Sequence, residues 1–342
     1  MKPRSIVSLI VAAALVICGI ITCAIASAKA NDEGIMLFPE PDADGNLVYR
    51  MDLLSAGKIT VNTADADITV VGGADKSYIE VINFNANYYK LSQSNGSVIF
   101  AQVDDFLSMF KFWENGFSFK GMRYLLRFGD DVPGDKKIVV HLNDSDNIRL
   151  VNISTERGDI AVNNCAFNAD YTVKSTLGTV DLRNITGAAS MSVSGSTFTL
   201  NAEHCASKKF SAIADTNLAA TITGVESEAA SFEMPNGILE AKDNFITDIK
   251  ATTTEGEIKL LPYNYSTGTV SSDKGKVTLD FENIDSLAAN ITTTDGKVSV
   301  NGEFKDTDGE SFSMNATDPK YRINVTTNRG DVYITYPITE EK

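Results

Sequence analysis

The chain has 342 residues, of which 30 are Lys or Arg, 45 are Asp or Glu and 2 are His, and its formal net charge at pH 7 is −15. This excess of negative charge argues against nucleic acid and anionic membrane surfaces as partners, because both repel an acidic protein. The scarcity of histidine and the lack of a Gly-x-Ser-x-Gly motif argue against a Ser-His-Asp hydrolase. We therefore predict a protein that is not an enzyme and needs no cofactor.

The chain opens with an uncharged segment at residues 5–28, which follows two basic side chains. As a helix this segment would be about 36 Å long, enough to cross a hydrocarbon core of roughly 30 Å. The basic flank predicts a cytoplasmic amino terminus and an extracytoplasmic remainder. Small residues ending at Ala28 and Ala30 also fit signal-peptidase sites. Residues 1–30 are therefore predicted to be either a single-pass anchor in the cell membrane or the signal peptide of a secreted protein.

Residues 31–57 contain the polar stretch PEPDADGN and are predicted to form a flexible tether. Within this tether, residues 42–46 (DADGN) resemble a fragment of a calcium-binding loop, and residues 306–310 (DTDGE) do so near the other end of the chain. Neither fragment is followed by the Glu at the twelfth loop position that supplies a bidentate ligand. Ca²⁺ is kept only as an alternative to the prediction that no cofactor binds.

A repeated phrase occupies residues 58–336 and has the form apolar-x-apolar-x-Thr/Ser-x-x-Gly-x-apolar-x-apolar. Its clearest copies centre on Gly158, Gly178, Gly256, Gly275, Gly296 and Gly330. Self-similarity at a period near 20 residues indicates a stacked β architecture. Because side chains alternate along a strand, the apolar positions and the Thr/Ser position share one inward face. The Gly is expected at a corner between two strands, where it would allow a positive φ.

Two all-β architectures are compatible with this phrase. In a parallel β-helix or β-solenoid each repeat is one rung, and equivalent positions stack into columns. In an antiparallel meander, Asp295-Gly296 and Arg329-Gly330 would be hairpin turns. The hydroxyl that recurs three residues before the Gly favours the solenoid, because a meander has no reason to keep Thr or Ser at one inward position. A weaker copy at 91–100 is treated as a further rung with Gly96 at its corner.

An aromatic segment at residues 104–128 interrupts the repeats and carries the only Trp of the chain. Its aromatic side chains and nearby basic residues are typical of a contact surface for a partner, a glycan or the outer leaflet of the membrane, although a hydrophobic cap on the end of a solenoid would have a similar composition. The candidate contact residues are Phe106, Phe110, Phe112, Trp113, Phe117, Phe119, Tyr124 and Arg127. Residues 303–320 are predicted to be a second insertion in the form of a loop, and residues 337–342 a tail.

Two cysteines, Cys165 and Cys205, fall two predicted rungs apart. Stacked rungs are about 4.8 Å apart, so two rungs separate these side chains by roughly 9–10 Å. This distance is too long for an unstrained disulfide. We predict two free, buried thiols.

The strand KIVVHLND at 137–144, followed by IRLVNISTERGDIAV at 148–162 and by further Thr-x-x-Gly copies, resembles a family. This is the bacterial β-strand-repeat family of unknown function known as putative adhesins, and the resemblance covers roughly residues 58–335. It implies a right-handed β-helix-like fold on the outer face of the cytoplasmic membrane and a role in envelope sensing. It implies no catalytic residues. The aromatic segment at 104–128 departs from the family pattern.

Three functions are weighed on these grounds. The first is a non-catalytic, membrane-anchored binding or scaffold protein, whose aromatic segment meets another envelope protein or a glycan. The second is a polysaccharide-active β-helix enzyme, which would need paired carboxylates in a groove. The third is a passive spacer with no partner.

Overall fold

The computed structural model describes residues 40–84, 89–102, 134–262, 264–282, 284–305 and 311–337. These residues form an all-β, solenoid-like domain in which every strand belongs to one sheet. Among them, no helix has the length and apolar character needed to span a membrane. The predicted anchor or signal segment at 5–28 lies outside the described residues.

The strands before the first clear repeat are short and include most of the antiparallel pairs. They are β1 (Glu40–Pro41), β2 (Leu47–Asp52), β3 (Lys58–Thr63), β4 (Asp67–Val71), β5 (Tyr78–Ile82), β6 (Tyr89–Ser94), β7 (Ser97–Gln102) and β8 (Lys137–His141).

The central strands form the regular part of the stack, and some run through the corner without a break. They are β9 (Leu150–Arg157), β10 (Ile160–Asn163), β11 (Asp170–Arg183), β12 (Ala188–Glu203), β13 (Ala206–Thr223), β14 (Glu226–Met234), β15 (Asn236–Lys242), β16 (Phe245–Thr253) and β17 (Glu257–Leu261).

The last strands again include short antiparallel ones, and a 3₁₀ turn at Ile284–Ser286 lies among them. They are β18 (Thr267–Ser272), β19 (Val277–Asp280), β20 (Leu287–Thr293), β21 (Val298–Val300), β22 (Glu303–Lys305), β23 (Phe312–Asn315), β24 (Tyr321–Thr327) and β25 (Val332–Thr335).

Successive rungs pair in parallel with equivalent positions side by side. Val173 of β11, for example, pairs with Ile153 of β9 and with Val193 of β12. Parallel pairing of consecutive repeats is the pairing of stacked rungs, and it excludes the antiparallel meander for these repeats. Asp295-Gly296 and Arg329-Gly330 are therefore corners within rungs and not hairpin turns.

The order of the rungs in space differs from their order in the sequence at both ends. The rung β3–β4 lies between β7–β8 and β9–β10. At the other end, β24–β25 lies between β18–β19 and β20–β21. The first and last repeats are thus each covered by a rung on both sides. Antiparallel strands then cover the outermost rungs, with β6 and β5 at the amino-terminal end and β23 and β22 at the other. This arrangement pairs strand edges that would otherwise be open to other chains.

The described structure corrects three predictions. The prediction of a flexible tether is wrong for residues 47–53, because β2 pairs with β5 and buries Tyr49 and Met51. The insertion at 303–320 is not a plain loop, because it contains β22 and β23; residues 306–310, the second calcium-like fragment, lie outside the described residues. The predicted rung at 91–100 is a hairpin, in which Asn95 and Gly96 both have positive φ (50° and 72°) and join β6 to β7.

The inward positions of the repeat form one continuous hydrophobic core, as predicted. The apolar side chains on either side of each corner, such as Ile153, Val180 and Leu260, are fully or almost fully buried. The hydroxyl column is also buried, from Thr63 and Thr155 through Thr253 to Thr327. The alternation of side chains along the strands was therefore enough to predict which positions of the repeat face the core.

The corner glycines are required for a different reason than predicted. Gly158, Gly256, Gly275, Gly296 and Gly330 do not have a left-handed φ. A methyl group at each would instead collide with the backbone of the next rung, for example 1.7 Å from the carbonyl oxygen of Gly256 when added at Gly275. Close approach of two backbones, and not turn geometry, excludes side chains at most of these corners.

The buried hydroxyls satisfy the backbone at these corners. Thr253 Oγ1 accepts the N–H of Gly256 (2.7 Å). Ser272 Oγ accepts the N–H of Gly275 (2.7 Å) and donates to its carbonyl (3.0 Å). The hydroxyl column is therefore explained by corner hydrogen bonding, since buried backbone groups without partners are costly.

A second corner follows the second strand in five consecutive rungs and was not predicted. Here the residue has a left-handed φ, and Asn164, Asn184, His204, Gly224 and Asp243 share this conformation. Asn and Gly tolerate it best, and Asn184 Nδ2 donates to Asn164 Oδ1 (3.0 Å) along the column. The sequence contains a pattern that could have predicted this corner, because Asn164 and Asn184 each lie six residues after a corner glycine.

Cys165 and Cys205 are free and buried, as predicted. Burial raises the pKa of Cys165 to about 12 and that of Cys205 to about 11. A thiol reagent at pH 8 should therefore label both only after unfolding, which a time course with and without urea would measure. Because an ordinary thiol ionises near pH 9.0, the free energy of unfolding should also fall as the pH rises from about 9 towards 11–12. Rapid labelling of Cys165 or Cys205 in the native protein, identified by peptide mapping, would contradict the buried positions.

Candidate interaction site at the amino-terminal end of the stack

The eight predicted contact residues, from Phe106 to Arg127, lie outside the described residues. What the structure describes is where their segment leaves and rejoins the stack. The chain leaves at Gln102, the end of β7, and β8 begins at Lys137. In the regular rungs this place is a short corner, so the aromatic segment is an insertion into the corner of the outermost parallel rung.

One carboxylate holds both ends of this insertion. Asp65, at the corner of the neighbouring rung, accepts from Gln102 Nε2 (2.8 Å) and from Lys136 Nζ (2.9 Å). Gln102 Oε1 also accepts the N–H of Ala64 (2.8 Å). Partial burial opposes ionisation of Asp65, but the hydrogen bonds from Lys136 and Gln102 outweigh it and lower its pKa. The departure and return points are thereby both joined to a charged group at the corner between β3 and β4.

A buried amide secures the return strand from the other side. Asn83 Nδ2 donates to the carbonyl of Asp135 (3.1 Å) and to Asn46 Oδ1 (3.0 Å), and Asn83 Oδ1 accepts the N–H of Leu47 (3.0 Å). Asn83 is 2 % exposed and has a φ of 57°. It therefore joins β2, β5 and the approach to β8 at one point.

Aromatic rings fill the end of the core beneath the corner at which the aromatic segment is inserted. Tyr89 stacks on Phe100 with ring centroids 5.2 Å apart, and Phe84 meets Phe100 edge to face at 5.3 Å. Tyr49 contacts Tyr89 at 6.2 Å. Such pairs stabilise beyond the area that they bury. Together with β6 and β5, this ring cluster covers the amino-terminal end of the core.

The outer face of the β2–β5–β8 sheet carries a stack of polar rings and charges. Tyr78 lies 4.2 Å from the His141 ring in a parallel arrangement, and the Arg50 guanidinium lies 3.6 Å from the centre of the Tyr78 ring. His141 Nε2 lies 3.7 Å from a Glu80 oxygen. A groove of about 650 Å³ runs beside this stack and is also lined by Lys76. Planar rings next to a guanidinium suit contact with another protein.

The described residues offer little for metal or calcium chemistry. Within them, no group of three or more His, Cys, Asp or Glu side chains is placed to hold a metal ion. At the first calcium-like fragment, Asp42 accepts from Asn46 Nδ2 (3.1 Å) and from the N–H groups of Asp44 and Asn46 (2.9 and 2.8 Å). The hydrogen bonds from Asn46 lower the pKa of Asp42. This carboxylate therefore closes a turn.

Outward carboxylates further along the stack are paired with lysines. Glu257 lies 3.2 Å from Lys259 and 3.5 Å from Lys276, and Glu240 is paired with Lys242. Glycoside hydrolysis needs two carboxylates that flank a bond, whereas these groups neutralise cations on an exposed face.

Sequence reasoning missed the described residues that support the site. Asp65, Asn83 and Lys136 belong to no motif, and their contacts join positions far apart in the chain. Tyr49 and Met51 could have been found, because Tyr49, Met51 and Leu53 alternate with the charged residues Arg50 and Asp52 as a strand requires.

Comparison with known proteins places the chain in a family. Its residues 31–335 match the model of the family Toastrack DUF4097. A crystal structure of a putative adhesin from Parabacteroides distasonis is 11 % identical, with a TM-score of 0.49 over 84 % of this chain and 96 % of that one. A putative adhesin from Bacteroides fragilis is 9 % identical, with a TM-score of 0.40 over 87 % and 99 %.

A third solved structure, of a putative lipid binding protein from Parabacteroides distasonis, is 10 % identical, with a TM-score of 0.39 over 84 % of this chain and 96 % of that one. No curated protein matches the chain. The family match covers most of the chain and starts before β1, and it confirms the resemblance noted in the sequence. The chain belongs to the Toastrack DUF4097 family.

Proposed function

We propose that this protein is a non-catalytic binding module of the bacterial cell envelope. Residues 5–28 anchor it in its own membrane, the parallel β-solenoid stands outside, and the aromatic segment contacts a second envelope protein. The observation that carries this proposal is the attachment of the segment. The segment is inserted at a corner of the outermost rung. Gln102 at its start and Lys136 at its end both hydrogen-bond to the carboxylate of Asp65.

This attachment suits a contact surface better than a cap. The end of the core is already covered by β6, β5 and the ring cluster of Tyr49, Phe84, Tyr89 and Phe100. A rigid base also lowers the entropy cost of presenting aromatic side chains to a partner. The stack of Arg50, Tyr78 and His141 lies on the same end and would enlarge the contact.

The proposed anchor places this end of the stack close to the membrane. Residues 29–39 can span at most about 40 Å when fully extended, and β1 begins at Glu40. A partner that reaches the aromatic segment would therefore be a membrane protein or a protein held at the membrane surface. Envelope sensing through such a partner is the role that we propose.

Photo-crosslinking in intact cells tests this function. A photoreactive amino acid at position 113 should capture one specific envelope protein, and the double change Phe112→Ser and Trp113→Ser should abolish recovery of that protein with the fold intact. A crosslinker at Thr221, exposed on β13 away from this end, is the matched control and should capture nothing specific.

Two results would contradict the contact. If the serine variant loses its cooperative unfolding transition, the segment is a cap. If position 113 captures only residues of its own chain, or only glycan, an envelope protein is not the partner at this segment.

A further inference from the structure

The strand β2 has an outer edge that the described strands cover only in part. On its inner side β2 pairs with β5 over residues 48–52. On its outer side β1 pairs with β2 only at Leu47 and Val48. Beyond Val48, no strand within the described ranges pairs with this outer edge. The amino-terminal end of the stack therefore has room for a longer strand than β1.

The backbone of β2 shows which of its residues bond to β5. The carbonyl of Leu47 accepts the N–H of Asn83 (2.9 Å), and the N–H of Leu53 donates to the carbonyl of Ser77 (2.8 Å). Bonding residues alternate along an antiparallel strand, so the odd-numbered residues of β2 bond to β5. The even-numbered residues therefore have their N–H and C=O groups on the outer edge.

Two of these even-numbered residues, Arg50 and Asp52, face no other strand of the described part of the chain on the outer edge. The inward residues beside them, Tyr49, Met51 and Leu53, are 4–6 % exposed, whereas the inward residues of β5 are 0–1 % exposed. Both the open edge and this slightly exposed end of the core indicate that one more strand segment fits here.

The chain that enters β1 has the composition of such a segment. Residues 35–39 read Ile-Met-Leu-Phe-Pro, an apolar run that differs from the polar composition of a tether. They lie outside the described residues. The family model begins at residue 31, nine residues before β1. The apolar run thus belongs to the part of the chain that the family shares.

We propose that residues 35–39 extend β1 as a strand along the outer edge of β2. The register follows from β1, because Glu40 lies opposite Val48. Continued without a break, this antiparallel register places Phe38 opposite Arg50, and the two residues exchange both backbone hydrogen bonds. The next bonded pair lies two residues further along each strand.

The same register covers the slightly exposed end of the core. Leu37 lies opposite Met51, and Ile35 lies opposite Leu53, on the face of β2 that points inward. Apolar cross-strand pairs of this kind stabilise a sheet in addition to the backbone bonds. Hydrophobic contact and hydrogen bonding therefore favour the same placement of the segment.

Two prolines agree with this register. Pro39 and Pro41 fall opposite odd-numbered residues of β2, where the backbone nitrogen points away from β2. Proline has no N–H, so it removes no bond to β2 at these positions. The far edge of the extended strand lacks two donors, which disfavours pairing with a further chain. The direct link to β1 also favours the chain's own segment over a second copy.

The docked segment shortens the free linker to the membrane. This consequence rests on the proposed function, in which residues 5–28 are the anchor. Only residues 29–34 then remain undocked, and they span at most about 22 Å. The stack of Arg50, Tyr78 and His141 on the same sheet is thereby held near the membrane surface.

A disulfide between the two strands tests the register. The full chain is used in detergent micelles, with Cys18 and Cys23 changed to Ser. The pair Leu37→Cys and Met51→Cys occupies a non-hydrogen-bonded position, at which Cα atoms lie about 4.5 Å apart. This separation permits a disulfide. We expect the pair to form an intramolecular disulfide on mild oxidation.

Two other pairs are the controls. Met36→Cys with Met51→Cys places the thiols on opposite faces of the sheet and should stay reduced. Arg50→Cys with Glu80→Cys joins β2 to β5 at a pair that the structure describes, and it should oxidise whether or not the segment docks. Circular dichroism and thermal unfolding establish that each variant is folded.

Hydrogen exchange at single-residue resolution tests the pairing without any cysteine. In the unaltered chain, the amide of Arg50 should exchange at least about tenfold more slowly than in an unfolded peptide. Phe38→Pro removes an N–H that bonds to β2 and should raise this exchange rate about tenfold or more. Asp32→Pro, which lies before the docked segment, should leave the rate unchanged.

Three results would overturn the proposal. The first is no disulfide in the Leu37→Cys and Met51→Cys variant when the Arg50→Cys and Glu80→Cys control oxidises. The second is a disulfide that forms only between two chains, seen on a non-reducing gel, because a second copy would then occupy the edge. The third is an exchange rate at Arg50 that Phe38→Pro does not change. None of these results depends on whether residues 5–28 stay in the membrane or on what position 113 captures, so failure here is distinct from failure of the proposed function.

Discussion

Gly275→Ala should destabilise the domain by about 3 kcal/mol, the range of severe overpacking. The added methyl would lie 1.7 Å from the carbonyl oxygen of Gly256 and 2.8 Å from Ser272 Oγ. Neither atom can move freely, because the first belongs to the backbone of the adjacent rung and the second bonds the corner of Gly275. Urea unfolding followed by circular dichroism would measure the loss.

Gly57→Ala is the matched control. The methyl added there would lie 3.6 Å from the nearest atom, an ordinary contact, and Gly57 does not have a left-handed φ. This change should be neutral or stabilise by about 0.5 kcal/mol, because alanine restricts the unfolded chain. Gly187→Ala, with a φ of 72° and open surroundings, should cost about 1–2 kcal/mol through backbone strain alone. Equal effects at Gly275 and Gly57 would contradict the close approach of the rungs.

Thr253→Val should destabilise the domain by about 1–3 kcal/mol, the cost of a buried polar group left without a partner. Valine keeps the shape of threonine but cannot accept the N–H of Gly256, which lies 2.7 Å from Thr253 Oγ1. Hydrogen exchange of the Gly256 amide should become faster, and urea unfolding should report the same loss of free energy.

The neighbouring residue supplies the control for this change. Thr252→Val removes a hydroxyl from the same strand on the outward side and should alter stability by less than about 0.5 kcal/mol. Thr253→Ser keeps the acceptor and should recover most of the loss. If Thr253→Val behaves like Thr252→Val, the hydroxyl column does not stabilise the corners.

These two predictions concern the same structural unit. In it, a hydroxyl accepts a hydrogen bond from the N–H of a corner glycine, and the backbone of the next rung packs against that glycine. Ser175 is an exception, since its hydroxyl has no partner among the described residues. Its rung has Gly178 at the corner with a φ of 149°. The repeated phrase thus reflects the packing between neighbouring rungs. Function depends instead on the side chains at the outer surfaces of the rungs.

Alternation along the strands was enough to predict which residues of the repeat are inward. Ile153, Val180 and Thr253 were assigned correctly because the period of two depends only on local backbone geometry. The separation of Cys165 and Cys205 followed from the same period and the spacing of rungs. The reason for the corner glycines did not follow, because a close approach between rungs is not a local property.

The candidate contact residues illustrate a second limit. The sequence singled out Phe106 to Arg127 by composition, and this segment lies outside the described residues. The residues that hold its ends, Asp65, Gln102 and Lys136, have no distinguishing pattern. Their role depends on which rung lies next to which, since Asp65 belongs to the rung beside the insertion.

By itself, the sequence determined the all-β class, the period of the rungs, the inward face and the family. Only the tertiary structure decided the order of the rungs, with β3–β4 and β24–β25 placed second from each end. Repeats of similar sequence present similar edges, so any two can pair in parallel with comparable hydrogen bonding. The choice among those pairings is made where the antiparallel strands cover the two ends, through contacts between residues far apart in the chain.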